Sequence, residues 1–496
     1  MFVALLILAQ FAFMGYSIFS NSLASDIVRS TATLISFFVG LHLLVSKNKP
    51  AYKISLLVLI TAFPLFGGVF YLLYRGDIIW NSLYKRIKRV NENSSELFKL
   101  AGSYADEAKR ELPEFSAQIN YLEKTVGFPI CSDTESCYFP SGEAMFASLC
   151  DELEKAERYI FLEFFIVREG KMWSAIEKIL KYKAEQGVDV RLVYDDMGSA
   201  QGFSNRKINE LEKNGIKVAV FNPFVPFISS AQNNRDHRKI AVIDGKVAFT
   251  GGVNISDEYI NELERFGHWK DSGVRIAGAG AWSFTLMCLR MWGVCCGKDE
   301  DYAAYCPQYE PCDKSEGYVI PYSDSPIDRE YIGENVYMQM INGARDYLYI
   351  TTPYLIADDD MLNALALSAK SGVDVRIITP GKYDKFIVHF TTRSYYKQLV
   401  ESGVKVYEYT PGFMHSKTFV SDDKRAVVGS VNMDFRSLYL HFECGAVFYN
   451  TPVVDRVKTD FLDTLEECRE IRLEDCKCNV FVRFFRSLIR LFAPTM

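Results

Sequence analysis

The sequence predicts an α/β fold laid down twice in one chain and tied to a membrane by its N-terminus. Three observations carry this expectation. Strand-like and helix-like patterns alternate beyond the N-terminal region, a series of short segments recurs there in the same order, and long charge-free stretches precede it.

Size and composition agree with that outline. At 496 residues the chain exceeds one ordinary core, so two domains with appendages are expected. With 49% apolar and 24% charged residues it reads as a globular enzyme. A net charge of −6 gives no electrostatic footprint for nucleic acid, and no nucleic-acid partner is expected. The 12 cysteines are scattered and form no CxxC pair, and a core this large needs no disulfide staples. They read as reduced thiols facing the cytosol.

The N-terminal region, residues 1–76, is the membrane segment. Nothing before Asp26 is charged, a second neutral stretch separates Arg29 from Lys47, and a third separates Lys53 from Arg75. Ile54 to Tyr74 is the clearest span, since at ~1.5 Å per residue it crosses ~30 Å of hydrocarbon. Pro64, Gly67 and Gly68 are tolerated in membrane helices. No basic segment precedes the first apolar run, which argues against a cleaved signal peptide. Two or three transmembrane helices are expected. Lys47, Lys49 and Lys53, and after the last span Arg75, Lys85, Arg86, Lys88 and Arg89, favour a multi-pass protein of the cell membrane with a cytosolic catalytic region. At the other end, residues 479–496 place Arg483, Arg486 and Arg490 at helical spacing among large apolar side chains. Such a helix fits the headgroup layer of a membrane, and it equally fits docking on the core.

Residues 77–130, polar and helix-prone, read as a connector. The duplication follows, with one copy in residues 131–305 and the other in 306–478. Gly187-Val-Asp-Val-Arg191 returns as Gly372-Val-Asp-Val-Arg376, and Gly215-Ile-Lys-Val218 as Gly403-Val-Lys-Val406. His237-Arg-Lys239 returns as His415-Ser-Lys417, each followed by an Asp (Asp244, Asp422) and then an Asn (Asn254, Asn432). Each repeat reads strand, helix, strand, helix, strand, with helices from Met172 to Gln186 and Asp359 to Ser371 ending at a glycine. Strands alternating with helices imply a parallel or mixed sheet, and the two copies should pack as a pseudo-dimer.

The recurring His-x-Lys is where chemistry is expected. On a strand, side chains at i and i+2 share a face, so His237 projects with Lys239 and His415 with Lys417. If pseudo-symmetry joins the two pairs, one neutral imidazole can attack phosphorus while the other, protonated, donates to the leaving alkoxide. The lysines offset charge on the non-bridging oxygens, to which Asn254 and Asn432 can donate. Asp271 and Glu443, matched in the two copies, suit the task of holding an imidazole by its Nδ1–H. Asp244 and Asp422 stand in turn contexts, where a turn-forming role competes evenly with catalytic support. The arrangement requires no metal and no cofactor.

These residues resemble the paired HxKx4D signature of the phospholipase D superfamily, followed by GGxN (Gly251 to Asn254) and GSxN (Gly429 to Asn432). The resemblance to bacterial cardiolipin synthases covers nearly the whole chain. It includes Asn48-Lys-Pro50 before the last apolar stretch, Asn234-Arg-Asp-His-Arg-Lys-Ile240, Phe266-Gly-His-Trp-Lys-Asp271, Thr352-Pro-Tyr354 and Phe435-Arg-Ser-Leu438. Arg238 and Ser416 fill the variable positions. The resemblance implies two phospholipase D-like domains and a catalytic set of His237, Lys239, Asp244, His415, Lys417 and Asp422. It also implies phosphatidyl transfer between two phosphatidylglycerol molecules through a phosphohistidine, giving cardiolipin and glycerol. Hydrolysis to phosphatidic acid and transfer to another alcohol use the same residues. A nuclease is disfavoured by the apolar segments and acidic balance, and a scaffold by the intact pairs.

Overall fold

The computed structural model describes residues 22–46, 49–63, 78–200, 203–224, 230–309, 315–327 and 330–495, with positions 12, 16, 67, 68, 71 and 72. It divides into two units. One comprises Met1–Asn81, Val225–Asn233 and Val480–Met496, and the other Ser82–Phe224 and Asn234–Asn479.

In the smaller unit, among the described residues, one helix, Ser25–Val45, is long and apolar enough to cross a membrane. Ser22 caps it by accepting from the Ser25 N–H, and Asp26 sits in its first turn, both favourable at a helix start. This helix covers the second of the three charge-free stretches, from which two or three spans are expected. The first falls mostly outside the described residues. The third, expected over Ile54 to Tyr74, is represented by Pro50–Ala62, whose 13 residues begin with proline in the first turn. The rest of that span falls mostly outside the described residues. Val39, Leu43, Leu56, Ile60 and Tyr71 form a buried cluster here. The basic C-terminal helix runs Val480–Phe492, and the Ser55 hydroxyl donates to the Leu491 carbonyl.

The larger unit carries two mixed sheets. The first contains β1 (Thr134–Phe139), β2 (Tyr159–Phe164), β3 (Asp189–Asp195), β4 (Lys217–Phe221), β5 (Lys239–Ile243), β6 (Val247–Gly251) and β8 (Gly273–Gly278), with β7 (His268–Lys270) outside it. The second contains β9 (Tyr318–Asp324), β10 (Tyr347–Thr351), β12 (Asp374–Pro380), β13 (Lys405–Tyr409), β15 (Thr418–Ser421), β16 (Arg425–Gly429), β18 (Glu443–Tyr449) and β19 (Cys468–Ile471). Three short strands lie outside it: β11 (Leu355–Ile356), β14 (Gly412–Met414) and β17 (Met433–Asp434).

The strand orders β1-β8-β6-β5-β2-β3-β4 and β9-β18-β16-β15-β10-β12-β13 are the same order drawn twice, with β19 added at the second edge. In both, the three strands of the βαβαβ segment are parallel and the others antiparallel. Strands β2 and β10 lie inside their sheets and are buried on both faces, which is why their sequences are almost continuously apolar or aromatic. Helices Lys171–Glu185 and Asp359–Lys370 cross between parallel strands, and Gly187 and Gly372, at φ 88° and 100°, end them in the left-handed conformation that glycine adopts without penalty.

Asp244 and Asp422 close the turns after β5 and β15 in the left-handed region, at φ 53° and 57°. The Asp244 carboxylate accepts from the backbone N–H groups of Glu157, Arg158 and Tyr159 at 2.7–2.8 Å. Asp422 accepts likewise from Arg345, Asp346 and Tyr347 at 2.9–3.1 Å. Each pins the start of one strand to the end of its neighbour. The turn-forming reading therefore describes their contacts, and neither carboxylate bonds a histidine or lysine of the signature.

Candidate active site

Two segments from opposite copies bring the histidines to their places. Phe442 bridges Asp236, and its carbonyl accepts from the His237 N–H at 2.9 Å. Strand β14 pairs in parallel with β7, and the Lys270 carbonyl accepts from the His415 N–H at 2.7 Å. Each histidine thus enters just before its own strand, β5 or β15, while its backbone is held by the other copy. Arg235 fixes the first approach, since its guanidinium is buried on Asp195 at 2.9 Å.

The same crossing pairs each imidazole with a carboxylate from the other copy. His237 Nδ1 lies 2.8 Å from Glu443 Oε1, and His415 Nδ1 lies 2.7 Å from Asp271 Oδ2. Both carboxylates are fully buried. With Nδ1 engaged, the Nε2 of each ring is left for chemistry. Lys239 and Lys417 are buried, and each ammonium donates to the carbonyl of its own histidine, while Lys417 Nζ also lies 2.9 Å from His415 Nδ1.

Burial and the gathered charge shift the pKa of each group here. Burial, then Lys239, His441, Lys417 and His415, hold His237 well below the ordinary histidine range. Burial and Lys417 push His415 down to about 4, against the pull of Asp271. Burial lowers Lys239 to about 8 and Lys417 to about 7. Burial would raise Asp271, but His415 and Lys417 hold its carboxyl below the usual range. Glu443 goes the other way: burial lifts it well above, outweighing Lys239 and Ser430. The copies are alike in geometry and unlike in electrostatics, with the carboxyl behind His415 held below its usual range and the one behind His237 lifted above it.

The two asparagines sit in unequal surroundings. Asn254 accepts from the Ile166 N–H at 3.0 Å and donates to the Tyr259 hydroxyl at 2.7 Å, so its amide is committed to the protein. Asn432 Oδ1 is buried without a hydrogen-bond partner. The preceding dipeptides differ for a visible reason. A Cβ at Gly252 would lie 2.0 Å from Asp271 Oδ1, so glycine makes room for that carboxylate. At the matching place Ser430 donates its hydroxyl to Glu443.

Four contributors were not singled out from the sequence. Ser430 is one. Tyr259 stands over His415 at 5.4 Å between rings, beside Trp269 at 5.0 Å. His441 is buried with its ring 5.4 Å from His237, and Arg436 Nε donates to its Nε2 at 3.3 Å. That bond makes Nε2 the acceptor and puts the proton on Nδ1, which lies 3.9 Å from Glu443. His441 and Trp269 occupy the same place, two residues before the carboxylate of each copy, a match the repeat alignment contains. By type, His237, His441 and Glu443 could hold a cation, with ligand atoms within 4.8 Å of one another. The positive charges of Lys239 and Arg436 press on this group and oppose a further one. Arg238, a variable position of the signature, is a buried structural cation on Glu163 at 2.8 Å and Asp236 at 3.0 Å.

Two imidazole–carboxylate pairs and two ammonium groups on a duplicated mixed sheet define an enzyme of phosphodiester exchange. The chain belongs to the cardiolipin synthase family of phospholipase D-like proteins. The family described as cardiolipin synthase, PLD-like domain, matches residues 149–265 and 337–465, one HxK segment in each. A Geobacillus cardiolipin synthase (strain WCH70) is 35% identical over 95% of this chain and 93% of its own length. An uncharacterised protein of Streptococcus mutans is 43% identical over 92% of this chain and 99% of its own. Among solved structures, phosphatidylserine synthase of Haemophilus influenzae superposes with a TM-score of 0.56 over 76% of this chain and 99% of that one. At 13% identity this likeness establishes the fold.

Proposed function

We infer that the chain is a cardiolipin synthase, a phosphatidyltransferase that joins two phosphatidylglycerol molecules. The observation that carries this reading is the reciprocal pairing of His237 with Glu443 and His415 with Asp271, in a chain that matches cardiolipin synthases over more than nine-tenths of its length.

In the first half-reaction the Nε2 lone pair of one imidazole attacks the phosphorus of a phosphatidylglycerol. The bond from phosphorus to the headgroup glycerol breaks, and the second imidazole, protonated once the phosphodiester anion lies among the gathered positive charges, delivers its proton to the departing oxygen. Lys239, Lys417 and Asn432 offset the charge on the non-bridging oxygens. In the second half-reaction the now neutral second imidazole takes the proton of the terminal hydroxyl of another phosphatidylglycerol. That oxygen attacks the phosphohistidine, the phosphorus–nitrogen bond breaks, and cardiolipin forms. The transfer potential of the broken ester is kept in the phosphorus–nitrogen bond and returned to the new ester, so no nucleotide is consumed. The Asp271 carboxyl, held below its usual range against His415 Nδ1, supports His415 as the attacking imidazole, because an anion there keeps the proton on Nδ1 and the lone pair on Nε2.

A multi-pass anchor with a cytosolic catalytic region completes the reading, supported by the apolar helix Ser25–Val45 and the basic residues after the last apolar stretch. The C-terminal helix is read as lying in the headgroup layer, because Phe481, Phe484 and Phe485 on it are exposed beside Arg483.

Acid-labile, alkali-stable label in a rapid quench with phosphorus-labelled phosphatidylglycerol tests the covalent step. Label on a histidine of the wild type, absent when His237 and His415 are both alanine, is expected. Turnover without any covalent label would refute it.

A further inference from the structure

The corner where β12 meets the helix Phe386–Glu401 carries an apolar surface that the fold does not use. Tyr383, Phe386 and Ile387 are 51%, 63% and 56% exposed, and their neighbours on the corner are Lys382 and Lys385. The rings are grouped: Tyr383 lies 5.8 Å from Phe386, which lies 6.0 Å from Phe390. Contiguous exposed side chains of this size on an ordered helix end mark an interaction site more often than chance.

The corner leads straight to the site. Asp384, between the lysines, accepts from the Tyr354 hydroxyl at 2.6 Å, and Lys385 lies over the Tyr354 ring at 5.8 Å. Tyr354 packs on Phe413 at 6.3 Å, and Phe413 on His415 at 5.9 Å. The corner follows the C-terminal end of a parallel strand, the end at which α/β sheets bind ligands. The matching loop of the first copy, after β3, also carries an exposed apolar residue, Met197 at 46%.

We propose that the Tyr383–Ile387 corner docks on the surface of an anionic bilayer, seating the mouth of the site at the headgroup level. The occupant follows from the chemistry of the corner. Its apolar tips suit the acyl boundary, its tyrosine suits the interface, and its two lysines complement phosphate headgroups. The corner's one carboxylate, Asp384, is turned inward onto Tyr354. This proposal rests on the lipid-substrate reading above.

The test uses the full chain in uncharged mixed micelles of varied phosphatidylglycerol mole fraction, with dihexanoyl-phosphatidylglycerol below its micellar concentration as a monomeric substrate. The doubly substituted Phe386→Asp, Ile387→Asp protein should show an interfacial KM raised about tenfold with kcat within about twofold. Its rate on the monomeric substrate should equal that of the wild type. Lys382→Gln should flatten the salt dependence of the interfacial KM. An unchanged interfacial KM, or equal loss on monomeric substrate, overturns the proposal. So does a change of oligomeric state with KM unaltered, which would assign the corner to a second copy of the chain. A wild type that turns over neither substrate to cardiolipin refutes the underlying reading instead.

Discussion

His237 and Glu443, 206 positions apart, meet at 2.8 Å because the carboxylate that holds the imidazole of each His-x-Lys segment is supplied by the other copy of the duplication. His415 and Asp271 repeat the exchange in reverse at 2.7 Å. Neither copy alone supplies both the histidine of its His-x-Lys segment and the carboxylate hydrogen-bonded to it.

Glu443→Gln and Asp271→Asn should each lower kcat by about 10²- to 10⁴-fold while the protein stays folded, because an amide favours the wrong imidazole tautomer. Steady-state kinetics with circular dichroism checks this. Near-wild-type kcat in either variant would remove the pairing from the mechanism.

Lysine protonation should shape the pH profile. In the free enzyme Lys417 and Lys239 lose their charge near pH 7 and 8, so kcat/KM should fall as pH rises through that range. The stability effect has a definite sign. The folded value of Lys417, about 7, lies below its ordinary 10.5, so the unfolded chain binds more protons between them, and this lysine costs stability most below pH 7. Lys417→Met should therefore be inactive yet melt at a higher temperature than the wild type at pH 6. That advantage should shrink as pH rises from 7 towards 10.5. Thermal melts across pH measure the difference, and a less stable variant at pH 6 would contradict it.

Asp244→Ala and Asp422→Ala should act on stability. Each leaves three backbone N–H groups without their acceptor and an alanine in the left-handed region, a loss of about 2–4 kcal/mol. The folded fraction should keep kcat within about threefold. Denaturant titration alongside active-site-normalised kinetics separates the two effects.

Gly252→Ala places a methyl group on Asp271 and should abolish activity with Asp271 intact, whereas Ser430→Gly, which removes only a donor to Glu443, should cost about tenfold or less. Comparable losses in both would show that the dipeptide difference between the copies has another origin.

Much of this was legible in the sequence, and the remainder has physical causes. The paired His-x-Lys segments, both carboxylates and the alternation of strands and helices can be read directly, because repeats and periodicity are local properties. The match of carboxylate to histidine cannot, since it depends on β7 pairing with β14 across the copies. The commitment of Asn254 to the Ile166 N–H, 88 positions away, is likewise a tertiary event. His441 and Ser430 were within reach: aligning the copies sets them against Trp269 and Gly252. The apolar N-terminal stretches showed by absence of charge, yet where helices begin and end there depends on turns that hydropathy does not encode.

Product analysis tests the central claim most directly. Purified protein given phosphatidylglycerol alone should yield cardiolipin and free glycerol in equal amounts. Phosphatidic acid as the main product, with glycerol released but no cardiolipin formed, would contradict it.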